Sequence, residues 1–296
     1  MIYSPLRYPG GKGKLSPFMG YMLEKMNIKN GTYVEPFAGG AGVALMLLLE
    51  GHVDSIVIND YDKAIYSVWR AIVTEPENLI DRIDQTVVSI QEWEQQKEIY
   101  LTENTRYSLD LAFATFYLNR TNRSGILKGG PIGGTNQTGN YKINARYNKE
   151  ELIKRIRRIA SKKSNIKVYN KEVVSFIEKI LPAYGKDTLV YFDPPYYNKG
   201  HELYKNFFDK KDHARIADLI LKQVKSNWIV TYDNAPEIIN LYQNQCLRKF
   251  DLNYSVANTG KSSEIMIFNN TNFCPSNDEL IQKKININLR EVYEWL

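Results

Sequence analysis

Little in this chain of 296 residues could hold a metal or form a covalent bridge. It has two cysteines, Cys246 and Cys274, and three histidines, His52, His201 and His213. Two scattered thiols make neither a disulfide framework nor a zinc ligand set, and no pair of histidines has zinc-ligand spacing. Metal catalysis is not expected. A covalent route through cysteine is also disfavoured, because Cys246 precedes a predicted strand and Cys274 falls in the tail. Long apolar runs are missing too: the 43–49 stretch is short and is followed by Glu50. Met1-Ile2-Tyr3-Ser4-Pro5 lacks the basic and apolar regions of a secretory signal, so a cytoplasmic location is expected.

What is present is ordinary in amount but uneven in place. Hydrophobic residues make up 43% and charged residues 24%, as in soluble globular proteins. The net charge is +6, yet from Arg120 to Asn170 thirteen Lys and Arg face only Glu150 and Glu151. That segment carries +11, which leaves −5 for the remainder. A solvated lysine-rich face explains some of these charges but not their segregation, so a polyanionic partner is expected for the basic segment.

Near the start, Arg7-Tyr8-Pro9-Gly10-Gly11-Lys12-Gly13-Lys14 is a glycine-rich basic loop without Walker spacing, and a helix over about 15–26 follows it. Gly31-Thr32-Tyr33-Val34 reads as a strand entering Glu35-Pro36-Phe37-Ala38-Gly39-Gly40-Ala41-Gly42, with a helix over 43–49. Strand, glycine turn and helix form the first βα unit of a nucleotide-binding sheet, the glycines permitting a tight turn and close approach to a ligand. A second strand, Ser55-Ile56-Val57-Ile58, ends in Asn59-Asp60, and Asp60 follows Gly39 by 21 residues, the separation at which an acid grips ribose hydroxyls. No phosphate-cradling pattern accompanies the turn. A cofactor with adenosine and no pyrophosphate, such as S-adenosylmethionine, fits best.

From 64 to about 118 the chain reads mainly helical, with Ile65, Val68, Trp69 and Ile72 at helical spacing. Trp69 and Trp93 are expected to be packing residues, and the apolar 109–118 run a buried helix. Residues 128–140 read as a loop without acids, and 141–147 alternates like a short strand. Asn148 starts a helix, with Glu151 completing a capping box. Leu152, Ile156 and Ile159 form its apolar stripe and leave Lys154, Arg155, Arg157 and Arg158 outward.

The strand-and-helix rhythm resumes at 166 and leads to Thr188-Leu189-Val190-Tyr191-Phe192, then Asp193-Pro194-Pro195-Tyr196. The prolines pin an extended turn holding an acceptor-only carboxylate, a carbonyl and a flat ring within four residues. Such a kit suits gripping a planar base by its amino group while covering its ring. A polar, aromatic loop over 197–209 is long enough to close over a site, and Asp212 is read as the cap of a helix running to about 224. A strand over 228–232 follows. The 250–256 and 265–268 segments read as an antiparallel hairpin turning at 258–261, and the tail beyond Phe273 as a weak helix without functional signal.

In this order, Tyr8-Pro9-Gly10-Gly11-Lys12, Glu35-Pro36-Phe37-Ala38-Gly39-Gly40, Asn59-Asp60, Leu118-Asn119-Arg120, Asp193-Pro194-Pro195-Tyr196 and Leu203-Tyr204-Lys205-Asn206-Phe207 before Asp212-His213 resemble the D12 (Dam-like) class of DNA adenine N6-methyltransferases in its alpha arrangement. The resemblance spans nearly the whole chain. It implies an α/β fold, a Rossmann-like seven-stranded methyltransferase sheet with a terminal β-hairpin, and a mainly helical target-recognition insert. The expected division is 1–66 with 166–296 as the S-adenosylmethionine-binding catalytic domain and 67–165 as the insert. Cofactor contacts are implied at Tyr8, Lys12, Asp60 and Asp193, with Phe37 lining the pocket and Glu35 and Gly39 in the same motif. Asp193, the carbonyl of Pro194 and the ring of Tyr196 are the implied catalytic grip on a flipped adenine. Arg120, Arg123, Ser124, Lys128, Lys142 and Arg146 are the expected contacts to duplex DNA.

Two departures stand out. The usual pattern has its second glycine where this chain has Ala41, and Lys128 stands where an arginine is common in GATC-reading members. An N4-cytosine or RNA N-methyltransferase, or a silent DNA-binding regulator, remains an alternative at this point, and a cognate restriction endonuclease is left open as a partner.

Overall fold

The computed structural model describes residues 3–8, 12–103, 105–197, 208–251 and 263–292. Strands β1 (Thr32–Glu35), β2 (Ser55–Asn59), β3 (Ile166–Tyr169), β4 (Thr188–Phe192) and β5 (Asn227–Asp233) lie parallel. Strands β6 (Cys246–Asp251), β7 (Ser263–Phe268) and β8 (Arg290–Glu291) complete the sheet in antiparallel pairings. The order is β3-β2-β1-β4-β5-β7-β6-β8. The expected methyltransferase-like α/β sheet and terminal hairpin are present, the first strand of the hairpin beginning at Cys246. An eighth strand, too short to signal itself, is added from the tail. The hairpin turn at 258–261, most of the 197–209 loop with its Leu203–Phe207 motif, and Pro9, Gly10 and Gly11 lie outside the described residues.

Strand periodicity assigns the two faces. Tyr33, Ile56, Ile58, Leu189, Tyr191, Ile229, Met266 and Phe268 join one buried cluster, while Val34, Val57, Val190, Phe192, Val230, Tyr232, Ile265 and Ile267 join the other. Both faces are covered, which is why the parallel strands read as continuous apolar runs rather than alternating ones. The second face carries α8 (Val173–Lys179), α9 (Lys210–Gln223) and α10 (Pro236–Leu241). The first face carries α1 (Ser16–Lys25) and α2 (Gly42–Leu49), and its core runs on into the long crossover between β2 and β3.

That crossover holds α3 (Lys63–Thr74), α4 (Pro76–Gln85), α5 (Ile90–Thr102), α6 (Leu109–Thr121) and α7 (Lys149–Ala160). Ile65, Val68, Trp69 and Ile72 are buried, as is the 111–118 stretch of α6, and Leu152, Ile156 and Ile159 bury the stripe of α7. The expected capping box at α7 is half made: Asn148 accepts the Glu151 N–H, but the Glu151 carboxylate turns to Arg155 at 3.1 Å. Two more outward bases of α7 meet acids, Arg157 with Glu77 in α4 and Arg158 with Glu50 just after α2, both at 3.6 Å. Part of this basic face is therefore used in seating the helix.

Two local expectations are corrected. Residues 141–147 are not a strand: a 3₁₀ turn occupies Ile143–Arg146. The Gln137 side chain accepts the Ile143 N–H at 2.8 Å, and Ile143 and Tyr147 are both buried, Tyr147 packing on Phe116 and Tyr117. A local side-chain cap outcompetes weak alternation. The cap of α9 is Asp209; Asp212 is its reciprocal partner three residues into the helix, and the two form a capping box.

The turn after β1 is closely packed. Gly39 has φ +46°, and a Cβ there would stand 2.7 Å from the Tyr8 ring. Ala41, in place of the usual glycine, takes the left-handed conformation at φ 47°, ψ 33° and heads α2. Gly39→Ala is expected to cost at least about 2 kcal/mol, combining left-handed strain with the Tyr8 collision. Ala41→Gly should stay within about 1 kcal/mol of wild type, since relief of strain is offset by unfolded-chain entropy and a lost buried methyl. Urea unfolding of both variants checks this; a Gly39→Ala protein as stable as wild type contradicts it.

Candidate active site

Strand order reverses between β1 and β4, which are neighbours although the chain leaves one outward to β2 and reaches the other only after β3. In such sheets a crevice opens beyond the carboxyl ends of the strands at that point. Here those ends carry acids: Glu35 closes β1, Asp60 follows β2, Asp193 follows β4, and Asp233 closes β5. An open cavity of about 1490 Å³ lies over them. Its lining includes Tyr8, Lys12, Phe37, Gly39, Asp60 and Asp193. From the crossover side, Gly125, Ile126, Leu127 and Lys128 line the same cavity.

Lys12 is the unexpected centre. Its side chain is 4% exposed, and its Nζ lies 3.3 Å from Asp193 Oδ1 and 3.2 Å from Glu264 Oε2. It donates to the Tyr196 hydroxyl at 3.0 Å, and that hydroxyl donates to Glu264 Oε1 at 2.7 Å. Burial pushes the Lys12 pKa down, but Asp193 and Glu264 outweigh it and hold it well above the ordinary lysine value. Asp193 is raised, first by burial and then by Glu264, against the pull of Lys12 and Thr231.

Asp193 Oδ1 also accepts from the Thr231 hydroxyl at 2.9 Å, and that hydroxyl accepts from Tyr191 at 2.7 Å. Among the described residues no hydrogen bond engages Oδ2, although the side chain is 21% exposed and lines the cavity. Pro194 and Pro195 are buried. The Tyr197 N–H donates to Asp233 at 2.7 Å, pinning the far end of the tetrapeptide to β5.

Across the cavity, Asp60 fixes the glycine turn. Its two oxygens accept the N–H groups of Gly39 and Asp62, each at 2.9 Å, while Trp69 Nε1 donates to the Gly39 carbonyl at 2.8 Å. Burial lifts the Asp60 carboxyl to about 7. Glu35 faces the cavity but spends Oε1 on the Ala44 N–H at 3.1 Å, in the first turn of α2, and burial lifts it to about 8. Phe37 sets its ring edge against Phe208, centroids 5.9 Å apart.

The expected nucleic-acid contacts divide. Arg123, Ser124, Lys128, Lys142 and Arg146 are exposed, Ser124 at φ 54°. The Arg120 guanidinium instead donates to the Arg146 and Pro5 carbonyls and is half-buried, so it braces loops in this structure. Asn119 mimics a peptide, accepting the Arg7 N–H at 2.7 Å and donating to its carbonyl at 2.6 Å and to that of Gly125 at 3.0 Å. This ties the Tyr8 segment to the turn before Lys128.

Sequence reasoning missed Glu264, Thr231, the anchoring role of Trp69, and the tail, where Lys284, Ile285, Asn286 and Ile287 line the cavity. A usable signal existed for Glu264: a lone acid opening the apolar run Ile265-Met266-Ile267-Phe268.

The family model of the D12 class N6 adenine-specific DNA methyltransferases matches residues 8–256. The type II methyltransferase M1.LlaDCHI of Lactococcus lactis subsp. cremoris is 25% identical over 289 residues, covering 89% of this chain and 94% of its own. The type II methyltransferase M.MjaIII of Methanocaldococcus jannaschii is 24% identical over 207 residues, covering 64% and 68%. Among solved structures, the rRNA methyltransferase aviRa from Streptomyces viridochromogenes aligns with 90% of this chain and 88% of its own at 13% identity and a TM-score of 0.39, too remote to carry an argument.

The two raised carboxyls give stability a definite pH dependence. A folded-state pKa above the ordinary value of 4.5 means that folded Glu35 binds more protons than unfolded, so stability falls as pH rises from about 4.5 to about 8. Glu35→Gln keeps the acceptor for Ala44 and removes the ionisation. It should flatten that decline by an amount on the order of a few kcal/mol between pH 5 and 8. Denaturant unfolding at both pH values checks this, and an unchanged decline contradicts it.

Proposed function

Because the chain belongs to the D12 class N6 adenine-specific DNA methyltransferases, we propose that it methylates the exocyclic N6 of adenine at a specific sequence in duplex DNA, with S-adenosylmethionine as donor. The observation that carries this reading is the state of Asp193: Oδ1 is fixed by Thr231 and Lys12, and Oδ2 is the oxygen left to accept from an amino group at the cavity.

The cavity beside the glycine turn fits the cofactor. Phe37, Ile65 and Val173 supply apolar wall for an adenine ring, and Asp60 keeps lone pairs beyond the two it spends on Gly39 and Asp62. Tyr8, Phe37, Gly39 and Asp60 would hold it, with Lys12 and Asp193 towards the reacting end. When bound, the donor supplies a methyl group on a sulfonium sulfur.

An adenine inside a duplex cannot reach Asp193, so the base is flipped out of the stack. Asp193 and the Pro194 carbonyl accept from its amino group, which localises the nitrogen lone pair and orients it. Tyr196 stacks on the ring, worth roughly 1–3 kcal/mol by analogy with other base–aromatic contacts. The N–C bond would form as the donor's methyl–sulfur bond breaks and its sulfur leaves as a neutral thioether; the amine would then lose its proton to water, so Asp193 has to accept and orient rather than act as a strong base. Residues 67–165 are proposed as the recognition part, with Arg123, Ser124, Lys128, Lys142 and Arg146 towards bases and phosphates. Both curated relatives are named type II methyltransferases, and a restriction–modification setting is proposed on that basis.

Incubating duplex DNA of mixed sequence with methyl-labelled S-adenosylmethionine tests the reading. Label should appear as N6-methyladenine, and Asp193→Ala should lower kcat by about 10²-fold or more, the scale of loss when a reacting group is misplaced by about 1 Å. Label on cytosine, or a fully active Asp193→Ala, overturns it.

A further inference from the structure

We propose that Glu264 is a positioning residue for methyl transfer: it anchors the Tyr196 hydroxyl and the Lys12 ammonium, and so sets both where the Tyr196 ring stands and how much of the Lys12 charge falls on Asp193. The proposal rests on the methyltransferase reading above.

Packing gives no reason for a carboxylate at this place. Glu264 is 1% exposed, and the residues after it in β7 are buried apolar ones. It is paired with Asp233 on β5 and Phe250 on β6. An apolar side chain would suit such a position at least as well, because a buried ion pair returns little net stability after desolvation.

What the carboxylate does is hold two groups of the site. One oxygen receives the Tyr196 hydroxyl at 2.7 Å and the other lies 3.2 Å from Lys12. Lys12 in turn donates to the same hydroxyl at 3.0 Å and stands 5.0 Å from the Tyr196 ring centroid. A residue that only stacked on a base would need its ring and not its hydroxyl. Here the hydroxyl is held from two sides, which fixes where the far end of the ring stands.

The second effect is on charge. Lys12 is shared almost equally between Asp193 and Glu264, at 3.3 and 3.2 Å. Among the described residues, the other groups that face Asp193 are Tyr191, Tyr33, Tyr232, Thr231 and Glu35, none of them a cation. With Glu264 in place, Asp193 is only partly neutralised and stays a strong acceptor. Without the Glu264 charge, more of the ammonium's field falls on Asp193.

Glu264→Gln, Tyr196→Phe and the double variant test this through kcat against pH, KM for S-adenosylmethionine, and the ¹³C titration of the Asp193 carboxyl. Each single variant is expected to lower kcat about tenfold at unchanged cofactor KM. The double variant should lose little more than either single one, because both cut one link. Glu264→Gln should move the acid limb of kcat, and the Asp193 titration with it, to lower pH. Wild-type kcat in both single variants, or an unmoved Asp193 titration in Glu264→Gln, overturns the proposal. Should Glu264→Gln fail to fold, Tyr196→Phe decides alone, and a wild-type kcat there overturns it. If the wild-type chain transfers no methyl to DNA, the functional reading fails, while the Asp193 titration still judges Glu264.

Discussion

A buried ammonium between two carboxylates governs the site. Lys12 lies between Asp193 and Glu264, and each of the three would be costly to bury without the others. Such a triad is a poor device for stability, since desolvating its charges consumes most of their attraction. Its value lies in preorganisation. It draws together the N-terminal segment, the turn after β4 and the start of β7, and it leaves one face of Asp193 available at the cavity.

The fold prepares for this by ending its central strands in acids on one side. Glu35 and Asp60 are absorbed locally: one holds the first turn of α2 and the other holds the glycine turn. Asp233 is absorbed by the Tyr197 N–H. Asp193 presents at the cavity an oxygen, Oδ2, that no described residue engages. The Asn119 bridge to Arg7 and Gly125 then couples the two walls of the cavity, so the segment carrying Tyr8 and the turn leading to Lys128 are set by a single side chain. The two walls are thereby held in fixed relation across the cavity.

Much of this was legible in the residues. The parallel strands declared themselves as short apolar runs, and the glycine turn, Asp60 and, from the tetrapeptide, Asp193 and Pro195 all line the cavity that their order implies. Local patterning failed where a side chain overrode it. Gln137 caps a 3₁₀ turn at Ile143 where alternation suggested a strand, and Asp209 takes the cap that Asp212 had suggested. Glu264 and the tail residues 284–287 were invisible for another reason. Their roles exist only through contacts with segments far away in sequence, and no local pattern encodes such a meeting. Arg120 shows the same limit in reverse: its charge suggested a phosphate, but its donors go to the carbonyls of Arg146 and Pro5.

The most direct test of the account is the chemical identity of the base modified in living cells. DNA from a methylation-free host expressing the chain can be digested to nucleosides and, in parallel, sequenced with base-modification detection. N6-methyladenine confined to one short sequence context, and absent when Asp193 is replaced, is the predicted result. N4-methylcytosine, or DNA without any methylated base, would contradict the claim that Asp193 and Tyr196 are arranged for the amino group of adenine.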